Sequence, residues 1–239
     1  MKFVGNRECI IISLLLDCLT RKTQRSTVNF RIIPILMTTL NKIVLASSNS
    51  FKLKELQDIL ATKNVALVSQ SEFDIPDAIE DGLSFVENAI IKARHASALS
   101  NMPALADDSG LVVDALSGGP GIYSARYAGL DKDRGSNDAA NNVLLLENLE
   151  QIPEEQRTAR FQCCIALVRF PDDPMPLICQ GSWEGFILFS EQGVNGFGYD
   201  SLFYVPEHNC ASAELEPTVK NSISHRSQAL KQLLGNFPE

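Results

Sequence analysis

The order in which strand-like and helix-like apolar patterns follow one another constrains the fold of this chain most. Residues 41–46 form a β-branched run that leads, through a Ser/Asn loop, into apolar residues at helical spacing over 53–60. A capping box at Ser84–Glu87 predicts the start of a second helix, which runs to about Ser100. The next segment, 103–113, indicates two strands with a turn between them. Strand and helix therefore alternate in the first half of the chain.

Strand patterns dominate the second half of the sequence. A helical pattern over 136–149 is followed by strand-like apolar runs over 160–170, 177–188 and 201–205, of which 177–188 contains one or two strands. A helix over about 222–234 closes the chain. This order predicts an α/β fold with a mixed twisted sheet flanked by helices, rather than a purely parallel sheet. No stretch has the composition of a linker between domains.

The charge of the chain argues against one class of partner. Its 239 residues carry a net charge of −8, whereas proteins that bind duplex nucleic acid do so chiefly through Lys/Arg patches. We therefore expect no nucleic-acid partner, and a small anionic substrate would need local positive charge and a divalent cation. The six cysteines include no Cys-x-x-Cys pair, which argues against structural zinc and favours a reducing cytoplasm. Cys163 and Cys164 are expected to point to opposite faces of one strand.

The first 36 residues differ from the rest in charge, with a net of +4 against −12 afterwards. An apolar run over 10–16 is flanked by Glu8 and Asp17 and is far shorter than the roughly 20 residues that span a bilayer. We therefore expect no membrane span and a poorly ordered or non-native extension over residues 1–36. One domain is expected over residues 37–239.

Two adjacent carboxylates, Asp107 and Asp108, stand where Ser109 and Gly110 interrupt an apolar run. Because side chains alternate along a strand, we expect Asp108 to face a cleft and Asp107 to support the turn. Carboxylate oxygens suit a hard divalent cation and can orient or deprotonate water. When the pair is considered without the other segments, the alternative is an ordinary turn that has no role in catalysis or metal binding. Glu80 is either part of a solvated turn or a second metal ligand.

The loop after the first predicted strand offers hydroxyls, an amide and a cation to phosphates. Ser47, Ser48 and Asn49 can donate hydrogen bonds, and Lys52 lies in the first helical turn. Because the helix dipole does not stabilise a cation at this end of a helix, a functional reason for Lys52 is favoured. The spacing is not that of a Walker-type phosphate loop. An ordinary helix capped by Ser or Asn is the alternative interpretation.

Two later segments carry aromatic and cationic groups. In Asn195–Asp200 two glycines flank an aromatic residue, so that its aromatics either stack on a planar base or face the core. Lys220, His225 and Arg226 lie at the start of the last predicted helix. Three potentially cationic groups oppose the helix dipole there, which favours a site for an anion.

Taken together, these segments resemble the inosine/xanthosine triphosphate pyrophosphatase family. Six motifs occur in the order found in that family, between about Lys42 and Leu234. They are Ser47-x-Asn49-x-x-Lys52-x-x-Glu55, Phe85-x-Glu87-Asn88-Ala89, Ala106-Asp-Asp-Ser-Gly110, Gly119-x-Pro-Gly-Ile-Tyr-Ser-Ala-Arg126, Gly196-Phe-Gly-Tyr-Asp200 and Ser224-His-Arg226. Ser48 and Phe51 depart from the pattern, since bacterial members commonly have Gly and a small residue at these positions.

The resemblance implies hydrolysis of non-canonical purine nucleoside triphosphates, such as ITP, dITP and XTP, to the monophosphate and pyrophosphate with Mg²⁺. It also implies two lobes with a central cleft, and a homodimer. By position, Asp108 would be the catalytic residue and, with Glu80, a metal ligand. The substrate would be bound by Ser47, Ser48, Asn49, Ser50, Phe51, Lys52, Ser109, Phe197, Gly198, Tyr199, Asp200, Lys220, His225 and Arg226.

Two other functions stay open at this point. One is a related Maf-like pyrophosphatase that acts on pyrimidine or modified nucleotides, which a panel of substrates would distinguish. The other is a nucleotide-binding sensor that has lost catalysis. The joint presence of Asp107, Asp108 and Lys52 argues against a sensor.

Overall fold

The computed structural model describes residues 40–47, 56–57, 60, 63–129 and 134–237, and only the backbone of 134–137. The extension expected over residues 1–36 lies outside this part of the chain. Among the described residues, no helix is both long and apolar enough to cross a membrane.

One mixed sheet of seven strands forms the centre of the fold, in the order β2-β1-β3-β4-β5-β6-β7. The strands are β1 (Lys42–Leu45), β2 (Ala66–Ser69), β3 (Ala104–Val113), β4 (Thr158–Val168), β5 (Leu177–Ile187), β6 (Phe203–Val205) and β7 (Cys210–Ala211). Strand β1 pairs in parallel with β2 and β3, and every later pairing is antiparallel. The predicted mixed sheet is therefore confirmed.

Helices cover the sheet, as predicted. They are α1 (Phe85–Ser100), α2 (Arg134–Asn148), α3 (Pro217–Ile223) and α4 (His225–Gly235). The predicted N-cap opens α1, since Ser84 Oγ accepts a hydrogen bond from Glu87 N at 3.3 Å, whereas the Glu87 carboxylate accepts from Leu83 N and Ser84 Oγ. Leu56 and Leu60 have helical backbone and are buried in the core, as their spacing predicts. Helix α1 thus begins at its predicted N-cap, and Leu56 and Leu60 pack in the core as their periodicity predicts.

The closing helix predicted over about 222–234 is found, but it begins at His225, later than predicted. The chain forms two helices, α3 and α4, separated at Ser224, whose backbone is extended (φ −61°, ψ 161°). Ser224 is the N-cap of α4 and its side chain accepts a hydrogen bond from Ser227 N at 3.3 Å. A serine hydroxyl that satisfies a free N–H group favours a new helix start over continuation of the old one.

The two faces of the sheet are covered by different helices. Cys164 packs with Ala89 and Ala93 of α1, whereas Cys163 packs with Ala229 and Leu230 of α4. The expectation that these neighbouring cysteines point to opposite faces is therefore confirmed. A separate cluster around Phe161, Trp183 and Phe203 forms another part of the core.

Candidate active site

The candidate site lies along the edge of β3 where its neighbour β1 ends. The pairing of these strands stops at Leu45 and Leu105, and Ala46 N donates to Leu105 O at 2.8 Å. Among the described residues, the next hydrogen bond along this edge runs from Leu111 N to Ser124 Oγ, at 2.9 Å. Residues 107–110 occupy the interval between these contacts. Among the described residues, no strand therefore pairs with residues 107–110 on this side of β3.

The turn predicted at Asp107–Gly110 does not exist. These residues lie inside the ten-residue strand β3, and their register with β4 is unbroken, with Asp107 opposite Ile165 and Asp108 opposite Cys164. The backbone pairing along β4 overrides the local turn propensity of Asp, Ser and Gly. Asp107 therefore supports no turn, and the correct prediction is that the two carboxylates point to opposite faces.

Asp108 lies on the α1 face, where it shares a cation with Glu80. Lys92 Nζ is 2.8 Å from Asp108 Oδ1 and 3.1 Å from Glu80 Oε1. Arg126 Nη1 lies 3.6 Å from Glu80 Oε2. The two acidic residues singled out from the sequence are thus brought together, with two basic side chains between and beside them.

Burial sets the charge state of this cluster. Asp108 is 8% exposed, and this burial, reinforced by the Glu80 and Asp107 carboxylates, raises its pKa although Lys92 opposes the shift. Burial lowers the pKa of Lys92, but Asp108, Asp107 and Glu80 together outweigh this effect and raise it. Asp108 Oδ2 has no hydrogen-bond partner among the described residues. One buried carboxylate oxygen is therefore available to a cation or a water molecule.

Lys92 was not predicted as a site residue, although its position carries a signal. It lies three residues after Ala89 and one before Ala93, within the apolar stripe that α1 turns toward the sheet. A lysine at such a position is desolvated, which is costly unless a carboxylate accompanies it. A search for charged residues on the buried stripe of each predicted helix would have found it.

The first turn of α1 also positions Glu80. The buried Asn88 accepts a hydrogen bond from Gly82 N through Oδ1 at 2.9 Å, and Glu87 Oε2 accepts one from Leu83 N at 2.9 Å. The segment after Glu80 is therefore bound to the same helix that carries Lys92. A Cβ on Gly82 would lie 2.7 Å from Asn88 Oδ1, so this close approach requires glycine.

Asp107 lies on the α4 face with the basic residues of that helix. Its Oδ2 accepts a hydrogen bond from Ser109 Oγ at 3.1 Å and lies 4.0 Å from Arg226 Nη2. His225 is buried and stacks on Phe161, with ring centroids 5.0 Å apart. A Cβ on Gly181 would lie 2.0 Å from His225 O, so this glycine lets the start of α4 approach β5. Two predicted substrate-binding residues, Ser109 and Arg226, thus lie beside Asp107, and a third, His225, stacks on the neighbouring Phe161.

The segment Asn195–Asp200 resolves the alternative left open for its aromatics. Phe197 is 65% exposed, whereas Tyr199 is buried and its hydroxyl donates to Ser124 O at 2.8 Å. One aromatic therefore faces solvent and the other packs in the core. Asp200 Oδ2 accepts from Phe197 N at 2.9 Å and from Lys220 Nζ, and Lys220 Nζ lies 5.4 Å from the Phe197 ring centroid. Lys220 thus joins the carboxylate of Asp200 to the exposed aromatic.

The predicted phosphate loop is described only at its start. Ser47 O accepts a hydrogen bond from Ser69 Oγ at 3.2 Å, which ties the end of β1 to β2. Ser48, Asn49, Ser50, Phe51 and Lys52 lie outside the described residues, and their predicted contacts with substrate stay predictions.

Comparison with known proteins supports one family for the chain. The sequence model of the Ham1 family matches residues 43–236. A dITP/XTP pyrophosphatase of Pseudomonas syringae pv. tomato is 59% identical over 199 residues, which cover 82% of this chain and 98% of that protein. A dITP/XTP pyrophosphatase of Vibrio cholerae is 53% identical over 200 residues, with 84% and 98% of the two chains covered.

Solved structures agree with the sequence comparison. The structure of a HAM1 protein from Coxiella burnetii superimposes with a TM-score of 0.76 at 52% identity, over 80% of this chain and 95% of that one. The Staphylococcus aureus Ham1 protein gives a TM-score of 0.73 at 40% identity, with 81% and 96% covered. The family model spans most of the described chain, and the relatives are matched along nearly their whole length. The chain therefore belongs to the Ham1 family.

Proposed function

We propose that the protein hydrolyses non-canonical purine nucleoside triphosphates, such as ITP, dITP and XTP, to the nucleoside monophosphate and pyrophosphate. The observation that carries the proposal is the buried Asp108, whose Oδ2 lacks a partner among the described residues while its Oδ1 is bound to Lys92. The relatives named dITP/XTP pyrophosphatases support the substrate class, because this chain covers 98% of their length. Such an enzyme would remove these nucleotides from the pool.

The carboxylates fit a divalent metal ion, for which we propose Mg²⁺. Asp108 Oδ2 is a buried acceptor without a partner among the described residues, and Glu80 lies within reach of the same ammonium group. Among the described residues, no group of three or more His, Cys, Asp or Glu side chains converges. Mg²⁺ commonly takes one or two carboxylates together with substrate phosphates and water. When bound by Asp108 and Glu80, the metal would neutralise charge on the phosphates.

The residues of the chain account for the remaining chemistry. Water attacks the α-phosphorus in line with its bond to the bridging α–β oxygen, that bond breaks, and pyrophosphate leaves. Asp108 orients this water and accepts its proton, a role suited to a carboxyl group whose pKa is raised by burial. Lys92 keeps Asp108 in place, and Lys52 with the rest of Ser47–Lys52 binds the phosphates and offsets their developing charge.

Base recognition is assigned to the other group of residues. Phe197 stacks on the purine, because its ring is exposed while its backbone is bound to Asp200. Tyr199 supports this segment from the core, and Gly198 gives it the required conformation at φ 62°. Ser109, Asp200, Lys220, His225 and Arg226 contact the sugar, the base or the remaining phosphate. A donor to the 6-oxo group would select against ATP, whose amino group would leave that donor unpaired.

Pyrophosphate release across a panel of nucleotides tests the proposal. The full chain and a chain beginning at Met37 are assayed with ITP, dITP, XTP, ATP and pyrimidine triphosphates, with Mg²⁺ and with EDTA. We expect a strong preference for the oxo-purines, dependence on the metal, and equal activity of the two chains. Equal release from ATP and ITP would contradict the specificity. Preference for pyrimidine nucleotides, or binding without hydrolysis, would favour the Maf-like enzyme or the sensor.

Three further expectations belong to this proposal. Residues 37–239 form the catalytic domain. The protein forms a homodimer, which light scattering during gel filtration measures. Its site of action is a reducing cytoplasm, which the cysteine usage of the sequence, without a Cys-x-x-Cys pair, favours.

A further inference from the structure

Helix α2 presents a polar stripe that faces the interior. Asp138, Asn141 and Asn142 are spaced so that they share one face of the helix. Asn141 is 2% and Asn142 5% exposed. Buried amides are costly unless they are hydrogen-bonded, so the partners of this stripe indicate what it does.

Two residues of the stripe bind the two backbone polar groups of Gly198. Asp138 Oδ2 accepts a hydrogen bond from Gly198 N at 2.7 Å. Asn142 Nδ2 donates to Gly198 O at 3.2 Å, and also to Glu191 Oε1 at 2.6 Å and Ser201 Oγ at 3.3 Å. Gly198 is therefore bound to α2 through both its N–H and its C=O.

These contacts fix the backbone on both sides of Phe197. Phe197 N donates to Asp200 Oδ2 at 2.9 Å, and the next amide, Gly198 N, donates to Asp138. The Phe197 ring nevertheless remains 65% exposed. An aromatic ring whose backbone is already ordered loses little conformational entropy when it stacks on a ligand, which raises affinity.

The third residue of the stripe connects this segment to β3. Asn141 Nδ2 donates to Ser124 O at 3.3 Å, the same carbonyl that accepts from the Tyr199 hydroxyl. The hydroxyl of Ser124 in turn accepts from Leu111 N on β3 at 2.9 Å. One helix therefore connects the segment around Phe197 with the strand that carries Asp108.

We infer that Asp138 and Asn142 are positioning residues for base recognition. By holding Gly198, they order Phe197 for stacking before the nucleotide binds. The inference rests on the proposed function, because it requires a purine base at Phe197. It assigns no chemical step to α2, so the two residues affect affinity for the base and not the cleavage of the phosphoanhydride.

Binding of the two products separately tests this inference. Inosine monophosphate carries the base, whereas pyrophosphate does not, so their dissociation constants report on different parts of the site. For Asp138→Ala we expect inosine monophosphate to bind about tenfold more weakly and pyrophosphate to bind as in the wild type. In hydrolysis of ITP, the same variant should show a raised KM at nearly unchanged kcat.

Two variants serve as controls. Asp138→Asn retains an acceptor for Gly198 N, and we expect it to restore most of the affinity for inosine monophosphate. Asn148→Ala removes an amide from the same helix that donates to the Tyr127 hydroxyl at 2.8 Å and not to Gly198, and it should leave both dissociation constants unchanged. Equal weakening of both products by Asp138→Ala, or no weakening, would overturn the inference.

Hydrogen exchange of the wild-type protein gives an independent measurement that needs no variant. We expect the amides of Phe197 and Gly198 to be protected before any nucleotide is added. Rapid exchange that slows only with inosine monophosphate would contradict ordering in advance, even if Asp138→Ala failed to fold. A wild-type protein that bound neither inosine monophosphate nor ITP would instead refute the proposed function.

Discussion

Asp108 and Asp173 are both buried aspartates beside a cation, yet their pKa values shift in opposite directions. Asp173 lies in the turn between β4 and β5, where Arg169 donates to it from N, Nε and Nη2 and Met175 donates from N, at 2.6–3.0 Å. Hydrogen bonds from Arg169 hold the pKa of Asp173 well below its usual range. Burial raises the pKa of Asp108.

The difference follows from how completely each carboxylate is satisfied. Both oxygens of Asp173 accept hydrogen bonds, so its charged form is stabilised. Asp108 receives one hydrogen bond from Lys92, and two other carboxylates, Glu80 and Asp107, act on it. A fully satisfied aspartate stabilises the fold, whereas an incompletely satisfied one is typical of a functional site.

Replacement of Asp108 by Asn gives the largest expected effect. We expect kcat for ITP to fall by a factor of about 10²–10⁴, because the amide cannot accept the proton from water. The free energy of unfolding should not decrease, because ionised Asp108 is disfavoured in the fold and the amide removes its charge. Steady-state kinetics and urea unfolding measure both quantities, and near-normal turnover would remove Asp108 from the mechanism.

Lys92 holds the cluster together, so Lys92→Met should destabilise the protein. Glu80 and Asp108 would remain without their shared ammonium, and we expect a loss of about 3 kcal/mol in the free energy of unfolding, measured in urea with EDTA. Mg²⁺ should restore part of the loss. The double variant Lys92→Met/Asp108→Asn is the control, since removal of one carboxylate should recover stability. An unchanged free energy of unfolding in the single variant would contradict this account.

In contrast to Asp108→Asn, Asp173→Asn should lower the free energy of unfolding and leave the activity unchanged. We expect a loss of about 2 kcal/mol in the free energy of unfolding at pH 7 and unchanged activity per folded molecule. Folding lowers the pKa of Asp173. Its contribution to the free energy of unfolding is therefore complete above the usual Asp pKa and is lost as the pH falls through the pKa of the folded protein. The difference between wild type and variant should therefore shrink on acidification. If the difference in the free energy of unfolding grew toward low pH, folding would not lower the pKa of Asp173.

The smallest effect is expected for Asn88→Ala. Loss of the bond to Gly82 N should displace Glu80 and raise the Mg²⁺ concentration for half-maximal activity by a factor of about five, which corresponds to one hydrogen bond. Ser100→Ala, at the other end of α1, removes a hydroxyl that donates to Ala96 O at 2.7 Å and serves as the control. If both variants required the same Mg²⁺ concentration for half-maximal activity, Asn88 would not position Glu80 for the metal.

Local patterns predicted much of the fold because they depend on neighbouring residues. The Ser84 cap of α1 and the opposite orientations of Cys163 and Cys164 follow from helix termini and strand alternation, and both are found. The turn at Asp107–Gly110 failed because pairing with β4, distant in sequence, decides the conformation there. The break at Ser224 was missed although its side chain carries a capping signal.

The sequence by itself determined that Asp107 and Asp108 lie next to each other and that their side chains differ in direction. Only the tertiary structure decided which carboxylate meets Lys92 and which meets Arg226, because α1 and α4 cover opposite faces of the sheet. The contact of Asp138 with Gly198 likewise joins residues 60 apart in sequence. Periodicity acts over a few residues, whereas the choice of partner depends on how helices and strands pack against one another.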